Sequence, residues 1–258
     1  MTQRTVVRRA EKALSPIAGQ AVRAGVLLNG LAIALAFIAY KFDYGVSSVP
    51  GQISIAIAVI CIAVPVLCWL ACAGTRKFAM HGSVRLIGLL SAYALLGVAF
   101  YFFYFIFAPM PVFERILGLG GGGALSAYWL VFSWIELTRF IERSNFENRA
   151  FEFYDDKIVC KTKFFEILDE GHVDKNPFVK WHTWIVMAVA PFFLVLSRVL
   201  STYFGTGGVL FFIAAVTFPA SLWLIGVMVR VGVTMIQLPR SMERKYHKPV
   251  LIAADAPF

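Results

Sequence analysis

The sequence predicts an all-α polytopic membrane protein: six transmembrane helices and a small cytoplasmic insert that contains a β-hairpin. Three observations carry this. Of 258 residues, 59% are hydrophobic, only 15% are charged, and six apolar stretches reach the length of a spanning helix. A soluble domain carries roughly a quarter charged residues, so a mean hydropathy of +0.74 places most of the apolar surface in lipid.

About 20 residues at 1.5 Å each cross a hydrocarbon core of roughly 30 Å. By that measure the spans run Val22 to Tyr40, Ile53 to Ala73, Val84 to Ala108, Ile116 to Ile141, Thr183 to Phe204 and Gly208 to Val229. Chain breakers fall between them, at Pro50 and Gly51, Gly74, Pro109 and Pro111, and the glycine-rich run 205–208. The expected organisation is a basic amphipathic segment at 1–21, spans one to four within 22–141, a cytoplasmic insert at 142–182, a helical hairpin at 183–230 and a basic cytoplasmic tail at 231–258. In the first segment Val6, Ala10, Leu14 and Ile17 recur at helical spacing opposite Arg8, Arg9 and Lys12, as in a helix lying among headgroups. The first apolar stretch lacks a small-residue cleavage site and is read as retained. At the far end, Pro239 is expected to stop the sixth helix.

Orientation follows from the basic residues. Counted on alternate sides of the six spans, 21 of the 24 Lys and Arg fall on one side, leaving Lys41, Arg115 and Arg198 on the other. The positive-inside rule then puts both termini and the insert in the cytoplasm, within the cytoplasmic (inner) membrane. The same rule accounts for the net charge of +9, so no nucleic-acid partner is expected.

In the insert, Phe151-Glu152-Phe153-Tyr154, a turn at Asp155 and Asp156, and the run Lys157 to Phe164 alternate apolar and polar residues as a hairpin does. A lone hairpin is marginal in water, so this one needs the membrane helices, the tail or a partner to pack on. Phe153, Tyr154, Asp155 and Asp156 are therefore candidate docking residues.

Chemistry is sparse. Ionisable residues inside spans are costly and mark functional sites, and the candidates are Glu136 with Arg139 at i+3 on the fourth span, and Arg198 in the outer half of the fifth. The four histidines all lie outside the spans, which argues against haem or a di-metal centre. Cys61, Cys68 and Cys72 share one face of the second span, where small buried hydrophobes suffice as an explanation. The run 118–124 lacks the preceding strand of a phosphate loop. Its Gly118 to Gly122 and Gly120 to Ala124 spacings make Gly118, Gly122 and Ala124 candidates for close helix packing. No catalytic residue, cofactor or metal is expected, and no residue pattern names a family.

The function expected is that of a non-catalytic membrane protein acting through lipids and a protein partner or further copies of itself, as a subunit of an envelope complex or a membrane-resident antagonist of immunity type. The rival expectation is a transporter or channel for an anionic or neutral solute. A third is a lipid-modifying enzyme using the acids of the insert.

Overall fold

The computed structural model describes residues 26, 27, 29, 30, 34, 49–72, 77–161, 164, 167, 168, 184, 195, 199, 202 and 208–252. The segment 1–21, most of the first and fifth spans, Arg198 and the turn at 205–207 lie outside the described residues. Within them the order is α1 (Val49–Cys72), α2 (Phe78–Tyr93), π1 (Ala94–Phe102), α3 (Phe103–Phe107), α4 (Val112–Arg143), α5 (Phe146–Ala150), β1 (Phe151–Phe153), β2 (Ile158–Cys160), α6 (Gly208–Val231), π2 (Gly232–Gln237), α7 (Leu238–Tyr246) and β3 (Val250–Ile252). Among the described residues four helical rods are long and apolar enough to cross a membrane: Gly51–Cys68, Phe78–Phe107, Val112–Arg143 and Leu210–Tyr246.

Close contacts set the direction of each rod. Thr217 Oγ1 donates to the Leu96 carbonyl at 3.2 Å, Tyr104 meets Phe211 with ring centroids 5.7 Å apart, and Gly82 abuts Met235. The rod 78–107 therefore runs antiparallel to the rod 210–246. Gly122 and Phe218 both meet Tyr101, and further along Trp129 and Ser133 meet Gly226, so α4 runs parallel to α6. As a result Arg143 and Gly208 stand at opposite ends of the bundle.

Proline inside α1 is tolerated for a visible reason. Pro65 has no N–H to give the carbonyl four residues earlier, that of Cys61. Ser91 Oγ of α2 brings a donor to it at 3.0 Å, its single hydroxyl proton shared with the Ile87 carbonyl at 3.1 Å. Membrane helices accept proline where a neighbour satisfies the freed group. We expect Ser91→Ala to cost about 1 kcal/mol, and Pro65→Ala, which restores a backbone donor to the Cys61 carbonyl, to remove that cost. Thermal unfolding of the two single variants and the double variant checks this; an additive cycle would show that Ser91 does not serve Pro65.

Pro239 does not stop the last helix. The helix passes through π2, whose wider turn carries the Leu238 N–H back to the Val233 carbonyl, and continues as α7 with proline in its first turn. There the missing N–H costs little. His247, at φ 54°, ends α7 in the left-handed conformation, and Pro249 follows. The region expected to be a tail is thus helix as far as Tyr246 and then a strand.

That strand completes a three-stranded sheet in the order β1-β2-β3. β1 and β2 pair antiparallel, Phe151 opposite Cys160 and Phe153 opposite Ile158, whereas β2 and β3 pair parallel, Ile158 beside Val250. The second strand is shorter than its alternation suggests, because Phe164 is helical. Neither Asp155 nor Asp156 has a positive φ, so the turn lacks the primed geometry whose twist matches paired strands, which agrees with only three paired residues per strand.

The sheet and α7 form a cap on one end of the bundle. Phe78, Leu137, Phe146, Phe151, Ile158, Phe164, Met242 and Val250 share its core. Phe164 is at the centre, with edge-on ring contacts to Phe78 at 5.1 Å, Phe146 at 5.4 Å and Phe151 at 5.7 Å. Edge-to-face pairs of this kind add to burial alone. The excess length of the long rods is used here, beyond what lipid can cover.

A candidate docking face on the cap

Phe153 lies on the face of β1 that looks toward α7, but beyond the edge of the core, and it is 43% exposed. Tyr246, the last residue of α7, meets it with ring centroids 5.2 Å apart at 69°. Lys245 Nζ stands 5.0 Å from the Tyr246 ring centroid. Tyr154 is 48% exposed, donates from its hydroxyl to Glu152 at 2.9 Å and accepts Lys248 Nζ on its carbonyl at 3.0 Å. The bond to Glu152 raises the Tyr154 hydroxyl above the usual phenol range. Asp156 makes a loose, exposed ion pair with Lys157 at 3.9 Å, and Asp155 is exposed. Pairs of this kind contribute little to stability.

The four candidate docking residues thus form one solvent-facing patch. The structure adds to it Tyr246, Lys245 and Lys248, none of which the sequence reading singled out; the only local signal was an aromatic residue ending a basic run. Distance along the rod separates this patch from the apolar run of α6. The apolar run of α6 ends at Val229, and Tyr246 lies sixteen residues beyond Arg230. At about 1.5 Å per residue, less in the π turns, that is roughly 20 Å, against a headgroup layer of about 6 Å.

The remaining candidates fall elsewhere. Glu136 is half-buried and Arg139 exposed, with no ion pair between them. Leu137, the next residue, already belongs to the cap core, so Glu136 stands where membrane helices pass into cap. Gly118 and Gly122 lie against the rings of Phe105 and Tyr101, and Tyr101 donates from its hydroxyl to the Gly118 carbonyl at 3.0 Å. Gly120 has open space around it and Ala124 is exposed, so these two point away from that contact. Tyr101 is further held by stacking on Phe218 at 3.9 Å. Gly122→Leu is accordingly expected to displace Tyr101 and cost about 1–3 kcal/mol, whereas Gly121→Leu is not; unchanged melting of the Gly122 variant would refute the contact.

Cys160 is fully buried beneath the sheet, and desolvation pushes its thiol well above the usual range. It is expected to resist maleimide at about pH 8 in the folded protein, from either side of a membrane, and to react once denatured. Labelling of native Cys160 would contradict this burial. Among the described residues no group of three or more His, Cys, Asp or Glu could hold a metal ion. No family model matches the chain, and no curated protein and no solved structure is similar to it.

Proposed function

We propose that this is a non-catalytic, six-span protein of the cytoplasmic membrane whose cap docks a protein partner, as a subunit of an envelope complex or an antagonist of immunity type. The observation that carries the reading is the exposed patch of Phe153, Tyr154 and Tyr246 standing roughly 20 Å past the last apolar turn of α6. Exposed aromatics within reach of headgroups anchor a protein in lipid; clustered at this height they fit a surface for another protein. The six-span layout is supported by Arg143 and Gly208 lying at opposite ends of the bundle, which requires an odd number of crossings between them. Cytoplasmic placement of the cap is supported by the described basic residues, since all except Arg115 lie toward the cap.

The test is a photo-crosslinking amino acid placed at Tyr246 in living cells. One discrete protein adduct that disappears with Phe153→Ala is the expected result, and adducts to lipid alone would refute docking. A solute carrier is the second reading, favoured by π1 and π2 on facing rods, since wide turns of this kind often mark functional sites. Solute-dependent thermal stabilisation would move the assignment there.

A further inference from the structure

A strand at the edge of a sheet leaves every second residue's backbone groups without a ladder partner. Which groups of β1 are left over follows from two hydrogen bonds. Tyr154 N donates to the Lys157 carbonyl and Lys161 N to the Ala150 carbonyl, both at 2.9 Å. Bonded couples alternate with unbonded ones in an antiparallel pair. With Phe151 opposite Cys160 and Phe153 opposite Ile158, the bonded couples are Ala150 with Lys161, Glu152 with Val159 and Tyr154 with Lys157. Phe151 and Phe153 therefore turn their backbone groups away from β2. The Phe151 N–H closes α5 by donating to the Glu147 carbonyl. Among the described residues nothing meets the Phe151 carbonyl, the Phe153 N–H or the Phe153 carbonyl. The opposite edge of the sheet differs, because Lys77 pairs with Leu251 of β3 there.

The side chains beside the free edge define what fits it. Phe153 projects on the α7 side, half exposed against Tyr246. Glu152 projects on the other face, exposed, where it accepts the Tyr154 hydroxyl and meets no base among the described residues. Residues 152–157 hold three acids and one base, Lys157, which is loosely paired with Asp156. Lys248 does not offset these acids at the edge, since it reaches the Tyr154 carbonyl, which points to β2, from the side of β3. Neither lysine nor proline, the usual guards of an exposed edge, occurs in β1.

We propose that the partner docks by adding an extended segment to the free edge of β1 as a fourth strand, with an apolar side chain beside Phe153 and Tyr246 and a basic one beside Glu152. This rests on the docking reading and states which element of the partner the patch receives. Main-chain bonds to Phe151 and Phe153 hold the segment, and its alternate side chains select it. Neighbours on adjacent strands lie about 5 Å apart, within reach of an ion pair. The occupant is another protein, because a second copy pairing through its own β1 would bring a like-charged strand to these acids.

The test traps the partner on the full chain with the photo-crosslinking residue at Tyr246 and compares hydrogen exchange of the purified adduct with that of the uncrosslinked protein. The Phe153 N–H is expected to exchange at least about tenfold more slowly in the adduct, while the Val159 N–H, already bonded within the sheet, changes little. Glu152→Lys should lower the adduct yield about threefold, and Glu142→Lys, at the exposed end of α4, should not. Unslowed exchange at Phe153 would overturn strand addition, and yields equal in the two variants would overturn the basic segment; both results leave the docking reading standing. An adduct to a second copy of the chain would overturn the choice of occupant. Absence of any protein adduct at Tyr246 would refute the docking reading and this inference together.

Discussion

Gly82→Ala is expected to destabilise the protein by about 1–3 kcal/mol and Gly82→Val to prevent folding. A Cβ at this position would meet the Cβ of Met235 at 2.7 Å and its carbonyl oxygen at 2.9 Å. Most glycine contacts can be relieved by a side chain moving aside, but here part of the obstacle is backbone. That carbonyl also lies four residues before Pro239, which has no N–H to return to it. Gly82 lets the rod 78–107 approach the Met235 backbone closely. Thermal unfolding in detergent is the measurement, with Gly88→Ala as the control, since nothing lies within 4 Å of that site; alanine there should be neutral or stabilising by about 1 kcal/mol. If both variants melt alike, the close approach at Gly82 has no energetic weight.

The second large effect is expected at the junction of cap and bundle. Phe78 begins α2, is 1% exposed, and meets Phe151 and Phe164 edge-on. Phe78→Ala should cost about 3–5 kcal/mol through lost contacts and the cavity left behind. The loss should fall on the cap. Limited proteolysis in the turn at Asp155 and Asp156 should become rapid, while Trp129, packed with Phe218 and Leu222 deep in the bundle, keeps its surroundings and its fluorescence. Parallel loss of both signals would show that cap and bundle unfold as one unit. Unchanged resistance to protease would refute the role given to Phe78.

The candidate site was legible only where its signals were local. Alternation of apolar and polar side chains placed strand content around Phe151 to Cys160, because neighbouring residues on a strand face opposite ways. It also put Phe153, Tyr154, Asp155 and Asp156 together. Tyr246 and Lys248 escaped notice because the contact between Lys248 and Tyr154 spans 94 residues. Nothing in a basic run announces that its end returns to a sheet. Reading Pro239 as a helix stop failed for a related reason: the rule assumes α geometry on both sides, whereas π2 delivers the chain to Pro239 with the helix still open.

By itself the sequence determined that long apolar helices build this protein, that Pro109 and Pro111 divide two of them, and that the described basic residues other than Arg115 gather toward one end. These are sums over consecutive residues: transfer into lipid adds along a segment, and neither chain direction nor neighbours change the total. Only the tertiary structure decided that Val250 to Ile252 pairs parallel with Ile158 to Cys160, that Gly82 faces a carbonyl while Gly118 and Gly122 face rings, and that Ser91 serves Pro65. Each of these depends on the register between segments far apart in the chain. Register is set by which side chains interlock once the helices pack, and an apolar surface can interlock in many ways that composition leaves equal.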